Sequence, residues 1–291
     1  MLKFLKENKY LYYKNYRLNK VTTIISNEKC KYFIIIKNYN VLYRLIDFLN
    51  KKKVKYLIIG NGSKLVFINN YHGVIISLKE LDKIRIDNNI CEVEAGTLVI
   101  ALINKLKRNN LGGIEKLVGI PSSIGGGLIN NISAHNVALS DYLIKLYVYK
   151  DDEIKELSKR EIIFSYRYSS LRDNFIVLKA IFKFDRKDKN QINEEINVYK
   201  NYRKENQEIV YPNIGSIFKN NIKAAALLIK EAKLENFKYK NVSFSKKHLN
   251  FINIKGKTKG KNIYRFTQKV IKKVKKRLNI NLETEINFIK S

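Results

Sequence analysis

Tryptophan is absent, methionine occurs once, and proline occurs twice, where average usage of about 5% would supply roughly 15. Glycine is also scarce, with 13 residues against about 20 expected. Cysteine occurs twice, as Cys30 and Cys91, far apart and without C-x-x-C spacing, which excludes a disulfide framework and a thiolate zinc site. Both are read as buried thiols. His72 and His135 show no partner spacing and read as loop residues, His248 reads as a structural one, and no metal is expected. No apolar run reaches the about 18 residues of a membrane span, and MLKFLKENKYLYYKNYR lacks a signal peptide's apolar stretch. No membrane contact and a cytoplasmic location are expected. Acidic residues number 26 against 57 basic ones, a net charge of +31. Taken alone that charge points to nucleic acid or an anionic surface. The lysines, however, are spread over every segment rather than gathered on one patch, and Lys, Asn, Ile and Tyr are abundant throughout, a compositional drift. Nucleic-acid binding is therefore the minor alternative. A hydrophobic content of 45% excludes a disordered basic tail, and 291 residues at roughly 150 per domain give about two domains.

Against this background the retained glycines are informative. Gly112, Gly113, Gly119, Gly125, Gly126 and Gly127 place six of the 13 within sixteen residues. Glycine permits positive φ and close backbone approach, so the cluster marks either a backbone-built ligand site or a tight structural turn.

Residues 30–36 and 54–59 read as short buried strands, and VLYRLIDFLNKK between them has helical spacing at Val41, Leu45, Ile46 and Leu49, a β-α-β unit. The second strand runs into Gly60-Asn61-Gly62-Ser63. An apolar run, LVFI, then leads to a turn at His72-Gly73 and a further strand, VIISL. The loop thus joins strand to strand. A dinucleotide fingerprint needs a third glycine opening a helix, where Leu65 stands, and Lys64 lacks Walker A spacing. KIRID, CEVEAG, LIKLYVYK, EIKELS and FIVLKAIFKFD read as strands, and TLVIALINKLKRNN as a helix stopped before Gly112. A charged segment at 188–207 reads as a connecting helix. Beyond it, KAAALLIKEAKLENF reads as a helix, FINI as a strand, and NIYRFTQKVIKKVKKRLN as a helix with a stripe at Ile263, Phe266, Val270, Val274 and Leu278.

Four groups need one explanation: GNGS at 60–63, GIPSSIGGG at 119–127, SYRYS at 165–169 and IGSIFKN at 214–220. In order and spacing they resemble the UDP-N-acetylenolpyruvoylglucosamine reductases, the MurB family of FAD enzymes in bacterial peptidoglycan synthesis. The family strings GxGSNLLV, GIPGxxGGAxxxNAGA, YRxS, GSxFKNP, SEKHxxFIxN and LxPEV are answered here by GNGSKLVF, GIPSSIGGGLINNISA, YRYS, GSIFKN, SKKHLNFIN and LETEI, from about residue 18 onward. The family's inserted tyrosine loop is missing, so the chain resembles the shorter type.

The resemblance implies an α+β fold: a bipartite FAD-binding region of the PCMH/vanillyl-alcohol-oxidase type plus a C-terminal α+β substrate-binding domain. It implies FAD-binding subdomains at 1–53 and 54–187 and a substrate domain at 188–291. FAD would be held by Gly60, Asn61, Gly62, Ser63 and Lys64 and by Gly119, Ile120, Pro121, Ser122, Ser123, Gly125 and Gly126, since small-residue loops can present main-chain N–H groups to a diphosphate. The implied reaction reduces UDP-N-acetylglucosamine enolpyruvate to UDP-N-acetylmuramate with NADPH as co-substrate. Negative charge then develops next to the carbon that receives hydride, and a guanidinium suits it; Arg167 is the candidate. Ser216 is the implied proton donor, and Glu285 would sit across the intermediate and assist, as acid or as an orienting group. Tyr166, Lys219 and Asn220 are implied substrate contacts. Read as residues alone, the alternatives are Arg167 as a stacked surface residue between Tyr166 and Tyr168, Ser216 as a turn residue after Gly215, and Glu285 as a tail charge. A monomer is expected, and a flavin-binding relative without reductase activity is the main alternative.

The chain departs from the family strings at Lys64 for Asn, Ser122 for Gly, Ile132, Ser133 and Asn136 for Ala and Gly, and Asn221 for Pro, with Asn27 and Glu28 near an early Gly-Gly. The segment near Ala226 and Lys233 also lacks the family's glycines. A Cβ at such a site costs energy where φ is positive.

Overall fold

A computed structural model describes residues 1–24, 26–207 and 214–291. By packing the chain divides into two compact units, the first made of residues 1–13, 32–61 and 74–201, the second of residues 14–31, 62–73 and 202–291. Each has its own apolar core.

The first unit is built on a five-stranded antiparallel sheet. In spatial order its strands are Glu153–Ser158, Leu143–Lys150, Ile176–Lys183, Ile90–Glu94 and Ile84–Asp87. Lys150 pairs with Glu153 across Asp151 and Asp152, both at positive φ (52° and 61°), the two-residue turn whose twist matches the flanking strands. The helix Val99–Arg108 buries Val99, Leu102, Ile103 and Leu106 in the first core. A four-stranded sheet has the order Leu11–Arg17, Lys29–Ile35, Tyr71–Ser77, Tyr56–Ile59. The helix Tyr39–Lys51 starts where the Asn38 side chain accepts from Val41 N at 3.0 Å, and it buries Leu42, Leu45, Ile46 and Leu49. The expected β-α-β unit is present, but its strands are not neighbours, because Tyr71–Ser77 lies between them. The turn expected at His72-Gly73 is instead part of that strand, so His72 is a strand residue. Ile192 and Ile196 of the helix Lys189–Asn206 are buried in the first core.

In the second unit a three-stranded antiparallel sheet (Lys238–Tyr239, Val242–Phe244, Ile252–Ile254) accompanies the helix Gly260–Leu278, which buries Ile263, Phe266, Val270 and Val274. The helix starts at Gly260, where a Cβ would run into the Phe67 carbonyl, and the Glu28 carboxylate accepts from Gly260 N at 3.0 Å. The helix expected over KAAALLIKEAKLENF is shorter, Ala225–Glu231, because Lys233 takes φ +51°. Leu65–Phe67 pairs in parallel with Asn287–Ile289, a C-terminal strand the apolar pattern does not announce.

Candidate active site

The two glycine loops meet inside the first unit. Gly60 follows the strand Tyr56–Ile59, and a Cβ on it would strike Ser123 Oγ and come 3.2 Å from Ser123 Cβ. Asn61 Nδ2 donates to the Pro121 carbonyl at 3.1 Å, a second tie between the loops. Gly119 takes φ +79°, which turns the chain toward Pro121. Ser123 then caps the helix Ile124–Ile129, its Oγ accepting from Gly126 N at 3.3 Å. The start of that helix is pinned by Ile124 N to Thr97 O (2.8 Å) and Gly125 N to Ala95 O (2.9 Å), and a Cβ on Gly125 would lie 3.0 Å from that of Ala95. Among the described residues, the N–H groups of Asn61, Gly119 and Ser123 have no protein acceptor, and in the second unit neither do those of Gly62 and Ser63. Main-chain donors without a protein acceptor fit a diphosphate.

Thr97, 1% exposed, has an Oγ1 with no partner among the described residues. Nothing in its sequence context singles it out, since what marks it is the fold around the Ala95–Thr97 corner. Ser122 and Ile132 have no positive φ, and Ser122 Oγ donates to Ser123 O at 2.9 Å. Replacing glycine there strains no left-handed backbone. Asn136 does take φ +62°, next to His135 at +50°, in the turn between Ser133–Ala134 and Val137–Ala138. Asn tolerates that region better than most residues.

Arg167 lies in the first unit at the tip of the hairpin Phe164–Ser165/Tyr168–Ser169. Its φ is +56°, a region that costs an L-residue about 1 kcal/mol or more. Its guanidinium lies 5.1 Å from the Tyr166 ring centroid, and Nη1 donates to Ser133 Oγ at 2.8 Å and Ser133 O at 3.2 Å. The hairpin is anchored by Asn131 Nδ2, which donates to Ser165 O at 2.9 Å, and by Arg172 Nη2, which donates to Arg167 O at 2.9 Å. Backbone strain held by surrounding bonds is characteristic of functional positions. Tyr166 is 48% exposed.

Ser216 and Glu285 come together in the second unit. Gly215, at φ +67°, turns the chain into residues 216–220, which run beside residues 283–285. Glu285 N donates to Ile217 O at 2.7 Å and Lys219 N to Glu283 O at 2.9 Å, on either side of a Phe218–Thr284 bridge. Asn250, buried within the SKKHLNFIN string, locks this pair from behind: its Oδ1 accepts from Phe218 N at 3.0 Å and its Nδ2 donates to Phe218 O at 2.8 Å. Ser216 is half-buried and the Glu285 side chain only 11% exposed. The Lys64 ammonium joins them, 2.9 Å from Glu285 Oε1 and 2.7 Å from Ser216 O. Gly62, at φ +65° in the same loop, has the Val21 carbonyl where a Cβ would go.

Lys219 Nζ lies 3.3 Å from Glu283 Oε2, and Asn220 Oδ1 accepts from Ala225 N at 3.0 Å, so that oxygen starts the helix Ala225–Glu231. His248 Nδ1 accepts from Asn250 N at 3.2 Å, and burial pushes its pKa below the usual histidine value. Among the described residues there is no group of His, Cys, Asp and Glu suited to a metal.

Residues 30–157 match a family model described as an FAD binding domain, and residues 207–289 one described as the UDP-N-acetylenolpyruvoylglucosamine reductase C-terminal domain. The UDP-N-acetylenolpyruvoylglucosamine reductase of Caldicellulosiruptor bescii is 31% identical, over 98% of this chain and 93% of its own. Those of Bacillus pumilus and Clostridium tetani are 32% and 34% identical, over 88% and 87% of this chain and 86% and 84% of theirs. The crystal structure of the reductase from Thermus caldophilus has a TM-score of 0.80 at 24% identity, covering 96% of this chain and 98% of that one, a likeness of fold. With bonded glycine loops, a strained arginine hairpin and a serine–glutamate pair at the matching motif positions, and relatives similar along nearly the whole length, the chain belongs to the UDP-N-acetylenolpyruvoylglucosamine reductase family.

Proposed function

We propose that this protein is an FAD-dependent reductase that converts UDP-N-acetylglucosamine enolpyruvate to UDP-N-acetylmuramate with NADPH, a step of peptidoglycan synthesis. The observation that carries the reading is the bonding of Ser216 and Glu285 into one cluster of the second unit. On this reading residues 1–53 and 54–187 form the two FAD-binding subdomains and 188–291 the substrate domain, and the enzyme acts in the cytoplasm as a monomer.

FAD would be held by Gly60 to Lys64 and by Gly119 to Ser123 with Gly125 and Gly126, a set in which the N–H groups of Asn61, Gly62, Ser63, Gly119 and Ser123 have no protein acceptor among the described residues. When bound, it supplies the two-electron carrier between the nicotinamide and the enolpyruvyl group. The chain's own residues do the rest. Reduction adds a hydride and a proton across the enolpyruvyl double bond, and negative charge collects on the carbon beside the hydride's target and on its carboxylate. Arg167, always charged and fixed by Ser133 and Tyr166, stabilises that charge. A donor lost at such a position costs about 10²- to 10³-fold in kcat. The Ser216 hydroxyl delivers the proton to the carbanion and regains one from solvent. Glu285, its charge matched by Lys64, orients the intermediate opposite Ser216. Tyr166 and Lys219 would contact the substrate's sugar and phosphate oxygens, with Asn220 contributing through its amide nitrogen.

The test is product analysis. FAD-loaded protein given NADPH and the enolpyruvyl substrate should yield UDP-N-acetylmuramate, identified by mass and by a requirement for NADPH. Flavin retained without product would identify a relative that binds flavin but no longer reduces the substrate. Failure to retain flavin would refute the cofactor assignment.

A further inference from the structure

Lys64 departs from the family's usual asparagine, and its side chain does not stay with its own loop. Its carbonyl accepts from Asn287 N at 2.8 Å, at the start of the parallel pairing between Leu65–Phe67 and Asn287–Ile289. That pairing fixes the Lys64 backbone two residues from Glu285. The ammonium then makes both short contacts described above, to Glu285 Oε1 at 2.9 Å and Ser216 O at 2.7 Å. A Cβ on Gly215 would lie 3.3 Å from this ammonium, so the glycine leaves it room. The lysine side chain is 26% exposed and the glutamate 11% exposed, which makes this pair less screened than the ion pairs at the surface. An asparagine has neither the length nor the charge to do the same.

We infer that Lys64 is a positioning residue for the half of the reaction that consumes the enolpyruvyl substrate. One cation ties the backbone of the proton donor to the carboxylate and cancels the carboxylate's charge before a polyanionic substrate arrives. The inference rests on the reductase reading above and adds a residue to it. A side chain bound in this way acts first on Ser216 and Glu285, so its loss falls more heavily on the enolpyruvyl half-reaction than on the NADPH step. Misplacing a reacting group by about 1 Å costs up to roughly 10²-fold, and the lost cation also leaves Glu285 facing a negatively charged ligand.

The experiment uses the FAD-loaded full chain as wild type, Lys64→Met and Lys64→Arg. Rapid mixing separates flavin reduction by NADPH from flavin reoxidation by UDP-N-acetylglucosamine enolpyruvate, with bound flavin measured by its visible absorbance. Lys64→Met, compared at equal bound flavin, should slow reoxidation about 10- to 100-fold and NADPH-driven reduction by far less. Lys64→Arg, which keeps the charge and can still donate to both oxygens, should recover most of the loss. Wild-type reoxidation in Lys64→Met, or equal slowing of both half-reactions per bound flavin, would each overturn the inference. A readout without flavin or turnover is urea unfolding of the flavin-free protein with Lys64→Met, Glu285→Gln and the double variant. Coupled losses are expected, and additive ones would overturn the pairing. If the wild type fails to reoxidise with substrate, the reductase reading has failed, while the unfolding cycle still judges the Lys64–Glu285 tie.

Discussion

Replacing Gly60 with alanine tests how the two glycine loops are held together. Gly60 is outside the left-handed region, so its backbone accepts a Cβ. The cost arises at Ser123, whose Oγ occupies the space and whose Cβ would be 3.2 Å away. Turning Ser123 aside breaks its cap on Gly126 N, a loss of about 1 kcal/mol. Pressing two Cβ atoms to 3.2 Å adds roughly 1 kcal/mol of crowding, and the alanine returns about 0.5 kcal/mol by restricting the unfolded chain. Gly60→Ala should therefore destabilise the flavin-free protein by about 1–2 kcal/mol in urea unfolding. Ser123→Ala alone should cost about 1 kcal/mol, since it removes the cap. In the double variant the cap is already gone and the hydroxyl no longer blocks the new methyl, so the second substitution should add under about 0.5 kcal/mol. That predicts a coupling near 1 kcal/mol and, in the Gly60→Ala single variant, FAD binding weakened about tenfold. Additivity within about 0.3 kcal/mol would refute the close approach of Gly60 and Ser123.

Other expectations follow from single contacts. Arg167→Lys loses the fork that donates to Ser133 and should lower kcat about 10²-fold while the melting temperature stays nearly constant, read by steady-state kinetics and calorimetry. Lys233→Gly relieves a lysine at φ +51° and should stabilise the protein by up to about 1 kcal/mol in urea unfolding. Asn250→Ala strips both bonds from the Phe218 peptide and should cost about 2–3 kcal/mol in the same assay, and turnover should fall because the Ser216 segment loosens. Burial raises the thiol of Cys30 to about 11 and that of Cys91 to about 12. Their folded values lie above an unfolded thiol near 8.5, so the stability they contribute is complete below about pH 8.5 and is lost as pH rises toward 11 and 12. A Cys30→Ala/Cys91→Ala variant should show a shallower fall in unfolding free energy above pH 9 than the wild type, and neither native thiol should react with a disulfide reagent at about pH 8.

Elements with a strong period were legible. Leu143–Lys150 and Glu153–Ser158 coincide with the expected strands because apolar alternation stops at Asp151-Asp152, residues that accept the turn's positive φ. The stripe Ile263, Phe266, Val270 and Val274 is buried as its spacing requires. Leu11–Arg17 escaped because most of its side chains are exposed and it therefore lacks an apolar face. His72-Gly73 reads as a turn by residue type, yet Gly73 is buried within the strand Tyr71–Ser77, where pairing on both sides overrides local preference. The site divides in the same way. Its glycine loops stand out against a glycine-poor chain. Lys64 does not, because its partner Ser216 is 152 positions away in sequence and only the folded pairing of Leu65–Phe67 with Asn287–Ile289 brings its backbone beside Glu285. Asn250 and Thr97 likewise acquire their roles from packing that no local spacing encodes.

The most direct test of the account is NADPH oxidation by the FAD-loaded protein with and without UDP-N-acetylglucosamine enolpyruvate, beside Ser216→Ala. The account expects oxidation to depend on the enolpyruvyl substrate and to fall by about 10²-fold or more in Ser216→Ala, with flavin content unchanged. Oxidation indifferent to the substrate, or a Ser216→Ala variant as fast as the wild type, would contradict it.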